Sequence, residues 1–181
     1  MTRSRPALAL TAALTAVVLG ACTPVAPPPP GPAGVARIAV DTPVNQTGQE
    51  LVIDDRGLLS GLLGEKRSTL PDILAGDLRK ALARRGFTVV TGASGSAPAL
   101  RVDLKRWEPY TADYSTVTVD LTASLVDGGD GRTLWTITRT GWQVPTDQPR
   151  SSLEASLSAS QFVAQTLVEN WQPAGATASA R

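Results

Sequence analysis

Hydrophobic and polar residues alternate most regularly between residues 114 and 126. A period of two places every second side chain on the same face of a strand. The segment therefore predicts a strand with one face on the protein core and the other face wet or covered by a partner. The apolar face holds Val117, Val119, Leu121, Ala123 and Leu125, and the polar face holds Thr116, Thr118, Asp120, Thr122 and Ser124.

Further strands are predicted on both sides of this segment. Residues 99–106 and 132–144 are rich in β-forming residues, and the turn sequence DGGDG at 127–131 indicates a hairpin between the central strand and the next one. The short apolar runs 36–42 and 87–91 also read as strands. The first of them is ended by Pro43 and the turn-rich residues 45–48.

Two segments have the spacing of amphipathic helices. The first begins at Ser68 and Thr69, has Pro71 near its first turn, and ends at Gly86. The second covers residues 151–171. Apolar residues at helical spacing are Leu70, Leu74, Leu78, Ala81 and Leu82 in the first helix, and Leu153, Leu157, Ala164, Leu167, Val168 and Trp171 in the second.

The order of these elements is β-α-β-β-β-β-α. It predicts an α+β fold, a two-layer sandwich in which an antiparallel-rich sheet of about five strands packs against two helices. The predicted folded domain covers residues 35–172. Residues 173–181 show no apolar periodicity and read as a disordered tail.

The amino-terminal residues have the pattern of an export signal. Arg3 and Arg5 precede an apolar run at 7–19, which has the length of a signal-peptide core and is short for a membrane span. The run closes in Leu-Gly-Ala-Cys at 19–22, which resembles the bacterial lipobox. The resemblance implies a lipoprotein signal peptide at 1–21 and a mature protein that begins with an acylated Cys22. An ordinary signal peptide or a buried cysteine remains the alternative.

A proline-rich linker follows the cysteine and completes a segment at 22–34. The six prolines within residues 23–34 favour an extended polyproline II chain of about 35 Å. We interpret it as a stalk, with a proline-rich recognition motif as the alternative. Since no polybasic patch supports the anchor, the lipid on Cys22 is the whole predicted membrane attachment.

Composition excludes several classes of chemistry. The 181 residues carry 17 basic and 16 acidic side chains, contain one cysteine, and contain no histidine. A nucleic-acid binder, a histidine-dependent triad, an internal disulfide and a cysteine zinc cluster are therefore not predicted. Neither a catalytic residue, nor a metal, nor a cofactor is assigned, and the protein is predicted not to be an enzyme.

Two charged groups have ordinary structural explanations. Asp127 and Asp130 fit a hairpin turn better than a calcium loop, because the distal glutamate of such a loop is missing. A basic cluster lies at the end of the first helix, where cations interact favourably with the helix dipole. That account is preferred to binding of an anion or a lipid headgroup. The cluster consists of Arg79, Lys80, Arg84 and Arg85.

Two groups of apolar residues are candidates for contact with a lipid or a partner. Four leucines form one edge of a short helical turn in the connection before the first helix: Leu58, Leu59, Leu62 and Leu63. Packing of this turn on the domain's own core is the alternative. Trp107 and Trp142 lie at predicted strand ends, where an aromatic ring with one wet edge suits an interface. Trp135 and Trp171 have apolar neighbours and are predicted to be core.

The carboxyl-terminal half has the pattern of a known family. LRVDLKRWEPY at 100–110, VTVDLTASLVDGGDGRTLWTITRTGWQVP at 117–145 and the closing helix resemble PqiC-like lipoproteins, auxiliary components of ABC-type transport systems. In the first half, ARIAVDTPVNQTG and LPDILAGDLRKALARRGFTVV look equally like the opening of the TolB amino-terminal domain, the CsgG lipoproteins and the LpoB regulators. These resemblances imply a role in the envelope and no catalytic residues.

Two functional hypotheses follow. The first is a non-enzymatic, lipid-anchored auxiliary component of an envelope transport system, which acts by binding and has an apolar groove for acyl chains. The second is a structural or assembly lipoprotein that oligomerises or regulates an envelope complex. The predicted location is the outer membrane, facing the periplasm, in a Gram-negative host. In a Gram-positive host it is the outer leaflet of the cytoplasmic membrane.

Overall fold

The computed structural model describes residues 30–48, 52–54, 67–90 and 97–175. Within these ranges the chain forms eight strands and two helices. In chain order they are β1 Arg37–Val40, β2 Val44–Asn45, β3 Val52–Asp54, β4 Arg67–Thr69, α1 Leu70–Arg84, β5 Thr88–Val90, β6 Ala99–Pro109, β7 Thr116–Val126, β8 Thr133–Pro145 and α2 Ser152–Leu167.

Six strands form one sheet in the order β5-β1-β6-β7-β8, with β2 pairing on β6 beyond the end of β1. The strands β6, β7 and β8 are antiparallel, whereas β1 runs parallel to both β5 and β6. β3 and β4 form a separate antiparallel pair. The two-layer α+β sandwich predicted from the sequence is confirmed. The predicted first strand at 36–42 corresponds to β1, and Pro43, which lacks an amide donor, separates it from the short β2.

Helix α1 begins with a complete capping box. Thr69 is the N-cap; its Oγ1 accepts a hydrogen bond from the Asp72 amide, and the Asp72 carboxylate accepts one from the Thr69 amide. Leu74, Leu78 and Leu82 face the sheet and are fully buried. The chain leaves the helix through Gly86, whose φ of +90° is easily adopted only by glycine.

Helix α2 begins at the N-cap Ser151, whose Oγ accepts a hydrogen bond from the Glu154 amide. Its buried face is built from small residues and differs from the predicted leucine stripe. Leu153 is 37% exposed, and Leu157 is only partly buried. Small side chains allow α2 to approach α1 and the sheet closely, and they define the buried face. That face consists of Ala155, Ser156, Ala159, Ser160, Val163, Ala164 and Leu167.

The two faces of β7 divide as the alternation predicts. Every apolar residue from Val117 to Leu125 on the helix-facing side is fully buried. The opposite face is polar and its side chains bond across the strands: Thr122 to Thr138 at 3.3 Å, and Ser124 to Thr136 at 3.0 Å. The helices therefore cover one face of the sheet only.

Candidate functional site

The described chain begins and ends at the same end of the domain. Gly31 lies against Trp171 so closely that a Cβ added to it would be 2.6 Å from Cδ1 of the indole. Further along, the Ala174 amide donates a 2.7 Å hydrogen bond to the Val35 carbonyl. We call this the tether end, because the described chain begins here at residue 30.

An aromatic cluster forms the core of the tether end. The ring of Trp135 meets that of Trp171 edge to face at 4.8 Å between centroids, and Phe87 meets Trp171 at 6.2 Å. Trp171 is 1% exposed and Trp135 is 8% exposed. The prediction that both tryptophans belong to the core is confirmed. The start of the described chain is therefore packed against the aromatic cluster.

The structure places the other two tryptophans differently from the interface predicted for them. Trp107 is 1% exposed, and its Nε1 donates a 3.2 Å hydrogen bond to Ser156 Oγ on α2. Trp142 is 6% exposed and packs beside Phe162, with ring centroids 6.3 Å apart. Both indoles lie on the helix-facing side of the sheet, because a register shift between Leu104 and Arg106 in β6, and another between Arg139 and Trp142 in β8, offsets the alternation by one residue. Neither ring offers a wet edge for a partner.

A cleft of about 620 Å³ lies on the helical layer near the tether end. It is formed where the carboxyl-terminal parts of α1 and α2 run side by side. Its walls are polar and apolar in about equal parts, whereas an acyl chain requires predominantly apolar walls. Its lining is Ala81, Arg84, Arg85, Phe162, Gln165, Thr166, Val168 and Glu169.

Arg84 and Arg85 give this cleft its charge. Both side chains are exposed, and within the described residues neither makes an ion pair. Both also lie at the end of α1, as the helix-dipole account requires. The sequence does not reveal the second wall of the cleft, which comes from α2. This wall includes Phe162, which is 39% exposed and lies between the exposed Gln161 and Gln165. An aromatic residue on the polar face of that helix was the available signal.

A polar contact joins the two helices beside this cleft. Ser160, which is fully buried, donates a 2.9 Å hydrogen bond to the Asp77 carboxylate. Lys80 approaches the other oxygen of the same carboxylate at 3.3 Å. A buried carboxylate requires such partners, so this contact specifies how α2 aligns with α1.

The remaining acidic candidates have structural roles. Asp127 Oδ1 accepts hydrogen bonds from the amides of Gly129 and Asp130, and these bonds lower the pKa of its carboxyl. Asp130 in turn accepts one from the Arg132 amide. Both aspartates therefore stabilise the β7–β8 hairpin turn. Among the residues that the structure describes, no group of acidic or cysteine side chains is arranged to hold a metal ion, and no helix is long and apolar enough to cross a membrane.

Some predicted sites fall outside the described ranges. Cys22, the predicted acylation site, belongs to residues 1–29. The four leucines Leu58, Leu59, Leu62 and Leu63 belong to residues 55–66. Their flanking residues are described: Asp54 at the end of β3 pairs with Arg67 at the start of β4.

Comparison with known proteins gives neither a matching family model nor a matching curated protein. Matches occur among solved structures. A Xanthomonas campestris protein of the PqiC-like family DUF330 is 19% identical, with a TM-score of 0.48 over 79% of this chain and 85% of that chain. PelC from Paraburkholderia phytofirmans, a dodecamer, is 23% identical, with a TM-score of 0.46 over 78% and 94%. The Neisseria meningitidis lipoprotein GNA1162 is 18% identical, with a TM-score of 0.36 over 57% and 78%. A likeness this distant carries no argument about function.

Proposed function

We propose that this protein is an extracytoplasmic lipoprotein, anchored through Cys22, that acts by binding as an auxiliary component of an envelope transport system of the ABC type. The observation that carries the proposal is the junction at Gly31. The lipobox and the proline-rich stretch come directly before Gly31, where the chain joins the domain at one defined end. This order is that of a tether between a lipid anchor and a folded domain. The opposite end then faces away from the membrane.

The described chemistry supports binding over catalysis. The chain has no histidine, and the turn aspartates are engaged by backbone amides. Among the described residues, the two arginines of the cleft on the helical layer make no ion pair, and its lining contains no nucleophile with a neighbouring base. Its mixed polar and apolar walls favour contact with headgroups or protein over enclosure of an acyl chain.

We place the partner contact in the leucine segment at the other end of the domain. The strands that flank it, β3 and β4, lead directly into the first turn of α1. The helix runs from there to Gly86 at the tether end, where a Cβ on that glycine would be 3.6 Å from Pro173. Asp54 and Arg67, the described residues that flank the leucine segment, therefore lie toward the end of the domain opposite the tether end.

The test is a deletion strain that carries either the wild-type gene or Cys22→Ser. The wild-type protein should take up a radiolabelled fatty acid and restore the envelope barrier against detergent. The Cys22→Ser protein should do neither, although it is present at the same level. Restoration of the barrier by an unlabelled Cys22→Ser protein would contradict anchoring as a requirement for function.

One observation favours the second candidate function, assembly through self-association. Ser115 O accepts a hydrogen bond from the Thr146 amide, so the odd-numbered residues of β7 direct their backbone groups toward β8. Ala123 pairs with Ile137 in this way, and the backbone groups of Thr136 and Thr138 point to the outer edge of the sheet. Among the described strands none pairs with that edge.

Self-association would pair this outer edge of β8 with the same edge of a second copy of the chain. The two strands would run antiparallel, centred on Ile137. No charged side chain lies between Thr133 and Thr138, so identical strands would meet without repulsion. Thr138→Pro removes an outward amide and should shift the mature protein from oligomer to monomer in sedimentation velocity. Thr138→Val keeps the amide and should leave the oligomer intact. A wild-type protein that is monomeric at all concentrations would eliminate this function.

A further inference from the structure

The basic cleft and the tether lie at the same end of the domain. Arg84 and Arg85 immediately precede Gly86, which faces Pro173. Val168 and Glu169 lie within one helical turn before Trp171, whose indole Gly31 contacts. The cleft therefore adjoins the point where the chain leaves for its predicted anchor.

The tether is shorter than the sequence indicates. Gly31 packs on Trp171 and Pro32 is buried, so the linker predicted to extend to residue 34 is already part of the domain at residue 31. Only residues 22–30 remain between the lipid and the domain, and an extended chain of that length reaches about 28 Å. A domain held on so short a chain at one end keeps that end near the bilayer surface.

The charge in the cleft is positive in excess. The basic residues are Arg84 and Arg85 in the cleft and Lys80 in the adjoining depression. The acidic residues are Glu169 and Asp77, and Asp77 is already paired with Lys80. Two guanidinium groups next to one another can donate several hydrogen bonds to a phosphate. The partly exposed ring of Phe162 adds an apolar surface of the kind that lies well at the level of headgroups.

We propose that the cleft containing Arg84 and Arg85 is a docking surface for the phosphate groups of anionic phospholipids, and that it supplies the second membrane contact which the sequence alone does not show. The proposal rests on the anchoring proposed above, since the tether is what keeps the cleft near the bilayer. Docking here turns the opposite end of the domain, where β4 leads into α1, outward. Helix-dipole stabilisation by the same arginines does not compete, because it leaves their guanidinium groups accessible.

The test uses the mature chain from residue 22 with Cys22→Ser, so that no lipid anchor contributes. It should co-sediment with vesicles of phosphatidylcholine and phosphatidylglycerol at low salt and should be released as the salt concentration rises. Vesicles of phosphatidylcholine alone should not retain it. Near an anionic surface each arginine contributes about fivefold to partitioning, so Arg84→Glu with Arg85→Glu should lower it by about 25-fold or more.

The matched control places the same charge change elsewhere. Lys105 and Arg150 are exposed, the first on the polar face of the sheet and the second just before α2, at the end away from the tether. Lys105→Glu with Arg150→Glu should lower partitioning only slightly. Arg84→Lys with Arg85→Lys, which keeps both charges, should retain most of the binding.

Several outcomes overturn the proposal. One is equal loss of binding in the two charge-reversed pairs, because net charge would then be the cause. Another is binding that does not depend on phosphatidylglycerol. A third is a protein that does not bind vesicles but whose Arg84 and Arg85 amide resonances shift when inorganic phosphate is added. That result would reveal a site for small anions. Failure of the fatty-acid labelling at Cys22 would leave the vesicle result unaffected, so the two proposals fail separately.

Discussion

Gly31 packs directly on the indole of Trp171, and a Cβ on the glycine would be 2.5 Å from Cγ of that ring. Real Cβ atoms essentially never lie this close to another heavy atom. The ring of Trp171 is held in place in turn by Trp135 and Phe87. The start of the described chain is therefore fixed on the domain by a contact that only glycine permits.

Gly31→Ala should lower the free energy of unfolding of the mature protein by about 1–3 kcal/mol, because the methyl group overfills a packed aromatic site. Gly76→Ala is the matched control, since nothing lies within 4 Å of a Cβ at that position in α1. It should instead raise stability by about 0.5–1 kcal/mol through helix propensity. Urea unfolding followed by tryptophan fluorescence measures both. A neutral Gly31→Ala would show that the amino-terminal segment is not packed on Trp171.

Ser160→Ala removes the buried donor to the Asp77 carboxylate and should cost about 1.5–3 kcal/mol, the range for a hydrogen bond to a charged group. Ser156→Ala on the same face of α2 removes the acceptor of the Trp107 N–H. It serves as the comparison for a hydrogen bond between uncharged groups, and it should cost about 0.5–1.5 kcal/mol. Chemical denaturation gives both values. In the background of Asp77→Ala the cost of Ser160→Ala should fall, and a cost that stays unchanged would mean that the two residues are not coupled.

The parts of the fold that depend on local pattern could be predicted from the sequence. The alternation along β7 gave the correct faces, because a period of two assigns each side chain independently of its neighbours. The start of α1 followed from Thr69 and Pro71, since capping is determined within one turn.

The parts that depend on contacts between distant segments were not accessible in the same way. The buried face of α2 was misjudged at Leu153, because alanines and serines such as Ala159 and Ser160, with little hydrophobicity of their own, define the close approach of the helices. The cleft joins Arg84 to Phe162 and Gln165, which are far apart in the sequence and belong to different helices. No local pattern records such a pairing.

Asp127 should titrate below the usual aspartate pKa of 3.8, because the Gly129 and Asp130 amides bond to its charged form. A pKa depressed in the folded state contributes stability above the unfolded pKa, and that stability is lost as the pH falls through the folded value. Carboxyl carbon chemical shifts measured against pH should show the low midpoint. Asp127→Asn should flatten the acid dependence of hairpin stability below about pH 4. An ordinary midpoint for Asp127 would contradict the turn geometry.

Leu59→Asp and Leu62→Asp should abolish complementation of a deletion strain while leaving the melting temperature of the mature protein unchanged. The reason is that a partner contact loses about 1–2 kcal/mol of apolar burial for each leucine removed, which weakens binding without unfolding the domain. If the leucines instead pack on the core, even the milder Leu59→Ala and Leu62→Ala would lower stability by about 2–5 kcal/mol. Leu153→Asp is the matched control, because Leu153 is 37% exposed on α2 outside the segment. It should preserve both melting temperature and complementation. A collapsed melting temperature for the two segment variants, with Leu153→Asp unaffected, would assign these leucines to the core and remove them from the proposed contact.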